Sequence, residues 1–483
     1  MIEAAYKAAF EAVCLLFIHK RLSIFSRYYT IISDMNAIRL KAIFLFLSIF
    51  SFSVAWAQPE LESYDDSVYR DYIRSVRMHV TGLFLTYPIA ALGVEHALSL
   101  TFDELNGKGT RYYYTVIHCD RDWKPTHELS PYDYLGGYQE GEIQNYEMSS
   151  GTYDDYLQYK LTIPNDDVKW NISGNYVLVV YESGEEDDPV LTRRFMITDE
   201  KVSYTTHVGR ASVVSKQNTH QEIDFGMETA ALNCSNPRME IECRVMQNFR
   251  WDNMISDVEP RTITGSYLSY TYQDKIVFEA GKEFRNIDIS SLEFRSEHVF
   301  DIEEYSDGYS TILFHDEPRW MKSYLFDKDL NGMFVPYNRD YTRRQIPFDS
   351  LASTTNLAIR YNYREQNLGT EYTEVLFTLD LPEDFGRTIY IVGGMTDWKM
   401  LPEGKMTWDD RVGSFTGRLF LKQGYYNYEY AVADEKGKLD FAVLEGNWYA
   451  TENMYTILTY FRPPGGQYDQ LVGVHTFSSF NRS

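Results

Sequence analysis

The residue types most able to do chemistry in this chain are ten histidines, four cysteines and 70 acidic side chains, and their spacing decides whether any act together. The histidines are scattered. None falls in the H-x-H, H-E-x-x-H or C-x-x-C patterns that converge ligands on one metal ion. His118-Cys119-Asp120 clusters three ligand types, but neighbours on a strand point to opposite faces. Only His118 and Asp120 share a side, too few for a site. Asp327, Asp329, Asn331 and Gly332 open like a calcium loop, D-x-D-x-N-G. That frame then fails, because Val335 stands ninth and Asn338 stands twelfth, where a bidentate Glu is needed. A tight polar turn is the expectation.

Nucleophilic catalysis has no framework either. There is no G-x-S-x-G elbow, no Ser, His and acid in a recognisable order, and no glycine-rich phosphate loop. Carboxylate pairs arise by chance among so many acids, so none is singled out. The chain reads as a non-enzyme with no cofactor and no metal. One aromatic group remains: Tyr390, Trp398, Trp408 and the run from Tyr425 to Tyr430. Such rings can stack on sugars, but at strand spacing they more commonly pack a core.

Mature-chain cysteines are Cys119, Cys234 and Cys243, with Cys14 ahead of them. A turn at Asn236-Pro237 would set Cys234 opposite Met239, not Cys243, which argues against a bridge. Met239, Ile241, Cys243 and Val245 alternate with polar residues, so Cys243 reads as a core thiol. A Cys234–Cys243 disulfide is kept as the alternative.

The elements that must position these residues are strands. At 483 residues the chain calls for two or three domains. Its 40 Tyr and 28 Phe suit half-buried pleated surfaces, and 24% charged residues with ample apolar content mark a foldable chain. Arg39 and Lys41, the apolar run Ile43–Val54 and Ala55-Trp56-Ala57 form a secretory signal peptide over 35–57, cleaved between Ala57 and Gln58. Met35 is its natural start, which makes 1–34 an over-extended gene start. The apolar run is too short to span a membrane, and no second one follows, so direct insertion of the mature chain is not expected. The net charge is −24, and residues 1–57 carry six Lys or Arg against three Asp or Glu, which leaves about −27 on the remainder. That field repels nucleic acid and anionic lipid.

Period-2 alternation runs through the whole mature chain. After a lead over 58–69, strands around Tyr112–Val116, Tyr159–Ile163, Tyr176–Tyr181 and Leu191–Ile197 predict a β-sandwich over 70–200. A middle β-rich domain over 201–370 has candidate strands Glu222–Gly226, Met239–Met246, Leu268–Tyr272 and Thr311–Phe314. Long polar connections separate them, among them Asn338–Ser350 and Tyr363–Thr370. Val375–Leu381, Ile389–Val392, Tyr426–Val432 and Tyr455–Phe461 predict an immunoglobulin-like sandwich over 371–463, followed by a tail over 464–483. The fold class is all-β, tandem β-sandwich domains, the last of early-set type.

Several segments in order resemble the plug-protein family of the type IX secretion system of Bacteroidetes. They are Tyr114 to Trp123, with His118 and Cys119; Tyr134 to Tyr138; Ser173-Gly174-Asn175-Tyr176; and Thr192-Arg193-Arg194-Phe195. Further on come Gln247-Asn248, Gly281 to Arg285, Asp329-Leu330-Asn331-Gly332, Glu445-Gly446-Asn447 and Thr451-Glu452-Asn453-Met454-Tyr455. The similarity spans nearly all of 70–475. It implies a periplasmic protein at the inner face of the outer membrane, bound to the giant β-barrel translocon and covering its periplasmic opening when no cargo is present. Separately, Val375–Tyr430 is similar to the early-set sandwiches attached to starch-acting enzymes. Gly394-Met395 departs from their pattern where an aromatic is usual. A periplasmic carbohydrate-binding protein using this last sandwich is the competing reading, with glycan binding not favoured.

Overall fold

The computed structural model describes residues 61, 64–184, 188–340, 368–434 and 437–480. The expected signal peptide, its expected cleavage site at Ala57 and Gln58, and the expected over-extended start lie outside the described residues, as do most of the connections Asn338–Ser350 and Tyr363–Thr370. No helix among the described residues is long and apolar enough to cross a membrane.

The alternation seen in the sequence becomes sheet. In the first part, one sheet has the order Ser67–Val68, Pro189–Thr198, Gly174–Glu182, Tyr112–Cys119, Glu140–Glu142. The facing sheet runs Ile73–Val80, Leu98–Glu104, Leu157–Ile163, Asn145–Met148. Tyr112, Tyr114 and Val116 point into the core between them with Leu98, Leu100, Phe102 and Tyr159. The strand Gly174–Glu182 is apolar on both faces, because both are covered. Tyr176, Leu178 and Val180 enter that core, while Val177, Val179 and Tyr181 meet Met246, Leu458, Tyr460 and Leu471 from the next part.

The middle part pairs Ser203–Arg210 with His220–Glu228 in one sheet. Its second sheet runs Ile255–Val258, Ile241–Gln247, Met454–Phe461, Gln470–Ser478. Here the structure departs from expectation. Tyr455–Phe461 does not close the last sandwich, and Ile241 instead stands opposite Phe461 in an antiparallel ladder. The expected tail supplies the edge strand Gln470–Ser478. Conversely, Arg285–Asp288 pairs with the strand Gly424–Ala433, and Gly308–Leu313 pairs with Tyr372–Leu379, so segments assigned to the middle part belong to the last sandwich. That sandwich is inserted into the middle one. Alternation tells which face a residue takes but not which strand lies beside it.

The inserted part packs two sheets about Val375, Phe377, Ile389, Tyr426, Tyr428 and Tyr430. Met239 is a second correction. It lies in the short helix Pro237–Glu240 at 81% exposure, since Pro237 starts a helical turn and the strand begins only at Ile241. Cys119, Cys234 and Cys243 are all free thiols, Cys119 and Cys243 buried.

Candidate functional site

The three parts meet at a groove. Two cavities of about 170 and 460 Å³ share Val76, Arg193, Phe334, Gly394 and Asp397 in their walls. Successive side chains of Pro189–Thr198 leave on opposite faces, so the paired arginines serve different neighbours. Arg193 lies 3.2 Å from Asp397 of the inserted sandwich. Arg194 donates to Tyr64 O at 2.7 Å, and its guanidinium stacks 4.6 Å over Trp123 and 5.2 Å over Trp251.

Backbone strain concentrates at this place. Asn248, Phe249, Asn331, Asp397 and Trp398 have φ of 50, 52, 51, 51 and 57°, and all five line the smaller cavity. Asn and Asp tolerate the left-handed region, whereas Phe and Trp do so only when held there. Phe249 is held by Tyr87, whose ring stacks on it at 3.7 Å, and Trp398 by Arg250, whose guanidinium covers its ring at 4.6 Å. Gly332 closes beneath Trp398, where an added Cβ would lie 2.3 Å from the indole.

The residues of the resembling segments pack the core of the first sandwich and, at Asn175, fasten it to the next part. His118 donates to or accepts from Thr126 Oγ1 at 2.9 Å and sits edge-on to Tyr176 at 5.0 Å. Burial lowers its pKa to about 4, so it is neutral. Gly174, with φ of 146°, passes so close that a Cβ would be 2.4 Å from His118 Nε2. Asn175 Nδ2 donates to Asp120 O at 3.0 Å, and its Oδ1 accepts from Tyr460 Oη at 2.9 Å, which ties the first sandwich to the middle one. Phe195 stacks on Tyr176 at 5.3 Å. Burial pushes the Cys119 thiol well up, which keeps it inert.

A second group sits where the chain enters and leaves the inserted sandwich. Asn248 Nδ2 donates to Asn453 Oδ1 at 2.8 Å and Asn453 Nδ2 to Ala280 O at 2.9 Å. Gln247 Nε2 reaches Glu279 O at 2.9 Å, and Asn447 Oδ1 accepts from Gly281 N at 2.9 Å. Glu452 accepts from the Ser478 hydroxyl, and its own amide donates to Glu283 Oε1 at 3.1 Å. Asp329 accepts from Asn331 N at 2.8 Å and from Phe284 N at 2.7 Å, the tight polar turn in place of a calcium loop. These amides satisfy backbone groups buried at the crossing, which otherwise would cost about 1–3 kcal/mol each.

Two buried ion clusters had no signal in the sequence beyond Arg285 and Glu445 standing in resembling segments. Lys422 Nζ lies 2.6 Å from Asp103 Oδ2, both side chains 1% exposed, and Tyr372 Oη donates to the same oxygen at 2.7 Å. This pair joins the first sandwich to the inserted one. Arg285 contacts Asp316 at 2.6 Å and Glu445 at 2.9 Å, with Arg319 on the other oxygen of Glu445 at 2.6 Å. Nothing distinguished these acids among 70. Glu445 was visible only as part of a resembling segment.

Among the described residues no three His, Cys, Asp or Glu side chains gather as metal ligands. Tyr426, Tyr428 and Tyr430 are core residues, and Trp408 turns its Nε1 to Asp410 at 2.9 Å. Arg250 covers one face of Trp398 at 4.6 Å, and Phe284 and Phe441 pack at its edges. What the arrangement does is fix three sandwiches against one another.

Over residues 73–199 the chain matches the family model of the type 9 secretion system plug protein 1st domain. Among solved structures it is similar to a hypothetical protein from Parabacteroides merdae ATCC 43184, at 29% identity and a TM-score of 0.78, over 86% of this chain and 100% of that one. A match to native alpha-2-macroglobulin from Escherichia coli, domains NIE-MG1, covers 42% of this chain and 96% of that one at 7% identity, and its TM-score of 0.17 carries no argument. No curated protein matches.

Proposed function

We propose, from the premise that the chain carries over residues 73–199 the first domain of the type IX secretion plug family and belongs to that family through it, that it is the stopper of the secretion pore. The role in type IX secretion follows from the family. Beyond it, the reading is that the exported protein works in the periplasm, binds the outer-membrane β-barrel translocon and closes its periplasmic opening until cargo arrives. It does so without catalysis.

The observation that carries this reading is the plug first-domain match. Its physical support is the way the three sandwiches are locked. Arg244 Nη2 lies 2.5 Å from Asp122, Lys422 2.6 Å from Asp103, and Arg193 3.2 Å from Asp397, so each part is pinned to another by charge as well as by packing. A body that blocks a pore must not yield, and nested insertion with charged cross-ties restricts relative motion more than flexible linkers do. The acidic surface keeps the free protein soluble and away from anionic lipid.

The test is affinity purification of the tagged protein from detergent-solubilised outer membranes. The translocon barrel should co-purify in stoichiometric amount, and a deletion strain should admit a large dye that wild-type cells exclude. Recovery of the protein without the barrel, from a strain whose permeability is unchanged on deletion, would remove the reading.

A further inference from the structure

Buried charges of the inserted sandwich, Lys282 and Arg285, hold the backbone of one irregular segment, residues 314–328. Lys282 Nζ donates to Lys322 O at 2.6 Å and to Arg319 O as well. Arg285 Nη2 holds Glu317 O at 2.8 Å, and the amides of Arg319 and Trp320 both donate to Leu444 O, at 2.6 and 3.2 Å. Gly446 passes beneath, where a Cβ would lie 2.8 Å from Trp320 Cα. Tyr324 Oη is tied to Ala450 O at 2.9 Å. Such a construction fixes a loop that forms no ladder of its own.

The held segment turns its large apolar side chains outward. Trp320 is 56% exposed, Met321 77%, Leu325 82% and Phe326 48%. Phe480 extends the surface, its ring 5.3 Å from Phe326. Four such residues on one short segment are an arrangement that soluble surfaces avoid unless something covers it. A cavity of about 420 Å³, walled by Lys322, Leu325 and Tyr428, opens beside the segment.

We propose that residues 320–326 are a preorganised docking loop, whose Trp320, Met321, Leu325 and Phe326 insert into an apolar pocket on a protein partner. The proposal rests on the function given above and names where this chain meets that partner, the periplasmic face of the barrel. Charge selects the class of occupant. The segment 314–328 is balanced, with Asp316, Glu317 and Asp327 against Arg319, Lys322 and Lys328, while the whole chain carries −24. An anionic lipid surface and a second copy of this chain are both repelled by that field, whereas a neutral or basic protein pocket is not. Holding the loop in its bound shape beforehand reduces the ordering cost of binding.

The experiment uses purified type IX translocon barrel in detergent, immobilised, with the mature protein and its Trp320→Ala/Leu325→Ser variant as analytes. The variant should keep the wild-type melting temperature, because both side chains are exposed, and bind about a hundredfold more weakly. Leu325→Ser alone gives the same comparison if the double variant folds poorly. Equal binding by variant and wild type overturns the docking loop and leaves the stopper standing. No binding by wild type overturns the stopper, and the loop assignment with it. Retention of wild type but not variant on vesicles of phosphatidylglycerol and phosphatidylethanolamine, or a concentration-dependent dimer lost in the variant, assigns the loop to lipid or to self-association and overturns the proposal.

Discussion

At the scale of single residues, the junction depends on side chains that leave no room and on acids that keep their protons. Gly174 is the sharpest steric case, since the ring of His118 occupies the place of a Cβ and Asp469 O lies 3.3 Å away on another side. Gly174→Ala should lower stability by about 2–4 kcal/mol, read as a shift in the urea midpoint at unchanged slope. An unchanged midpoint would show that the strand can move aside. Burial raises the carboxyl pKa of Glu283 and of Glu429 to about 8, and that of Asp329 to about 7, from ordinary values of 4.5, 4.5 and 3.8. The folded chain therefore holds protons that the unfolded chain has released, and stability falls as pH rises through the folded values. His79 and His118, lowered by burial to about 3 and 4, act in the opposite sense, but only below their ordinary 6.5. Between pH 6.5 and 8 the acids dominate, so the melting temperature should drop across that window. Glu429→Gln should flatten the drop, and an identical slope in that variant would assign it elsewhere. The motif SGNY marked Gly174 in the sequence, but not the reason for it. His118 is 56 residues away in the chain, and only pairing of Tyr176 opposite His118 brings them together.

At the scale of elements, the cross-ties between sandwiches carry the consequences. Asp103 on Leu98–Glu104 and Lys422 at the end of Ser414–Lys422 form one such tie. Burial lowers the Lys422 pKa, and the Asp103 carboxylate opposes this, so removing the acid strands an ammonium in the interior. Asp103→Asn should cost about 3–5 kcal/mol, and adding Lys422→Met should return most of it. A double variant no more stable than Asp103→Asn in chemical denaturation would show that the geometry, not the stranded charge, sets the cost. Strand identity was largely legible from alternation: Tyr112–Val116, Tyr176–Tyr181 and Tyr426–Val432 lie in strands, and Val375–Leu381 does so as far as Leu379. Strand partnership was not. Tyr455–Phe461 has the same pattern whether it completes the inserted sandwich or returns to Ile241–Gln247, and only the far-separated pairing distinguishes the two. The Asn and Gln of the crossing were visible as motif letters, but their work is to satisfy buried backbone groups of other segments, which no local spacing encodes.

At the scale of the whole molecule, the described residues from Leu61 onward form one compact unit in which an inserted sandwich, a split middle one and a first one share a strained junction. Nesting puts the first and last strands of the middle sheet far apart in the chain, so the inserted part cannot swing on a single tether. The sequence foretold an all-β body with a strongly acidic surface, and both are properties of composition and pattern. The junction was not foretold, because its left-handed residues and shared cavity exist only once three separate parts are packed. Occupying a pore mouth requires a rigid body and a fixed contact surface more than any reactive group. The most direct measurement is the ion conductance of the purified translocon barrel in a planar bilayer, before and after adding the mature protein to the periplasmic side. Closure of open channels at stoichiometric protein is the expected result, and channels that conduct unchanged with the protein bound would contradict the stopper.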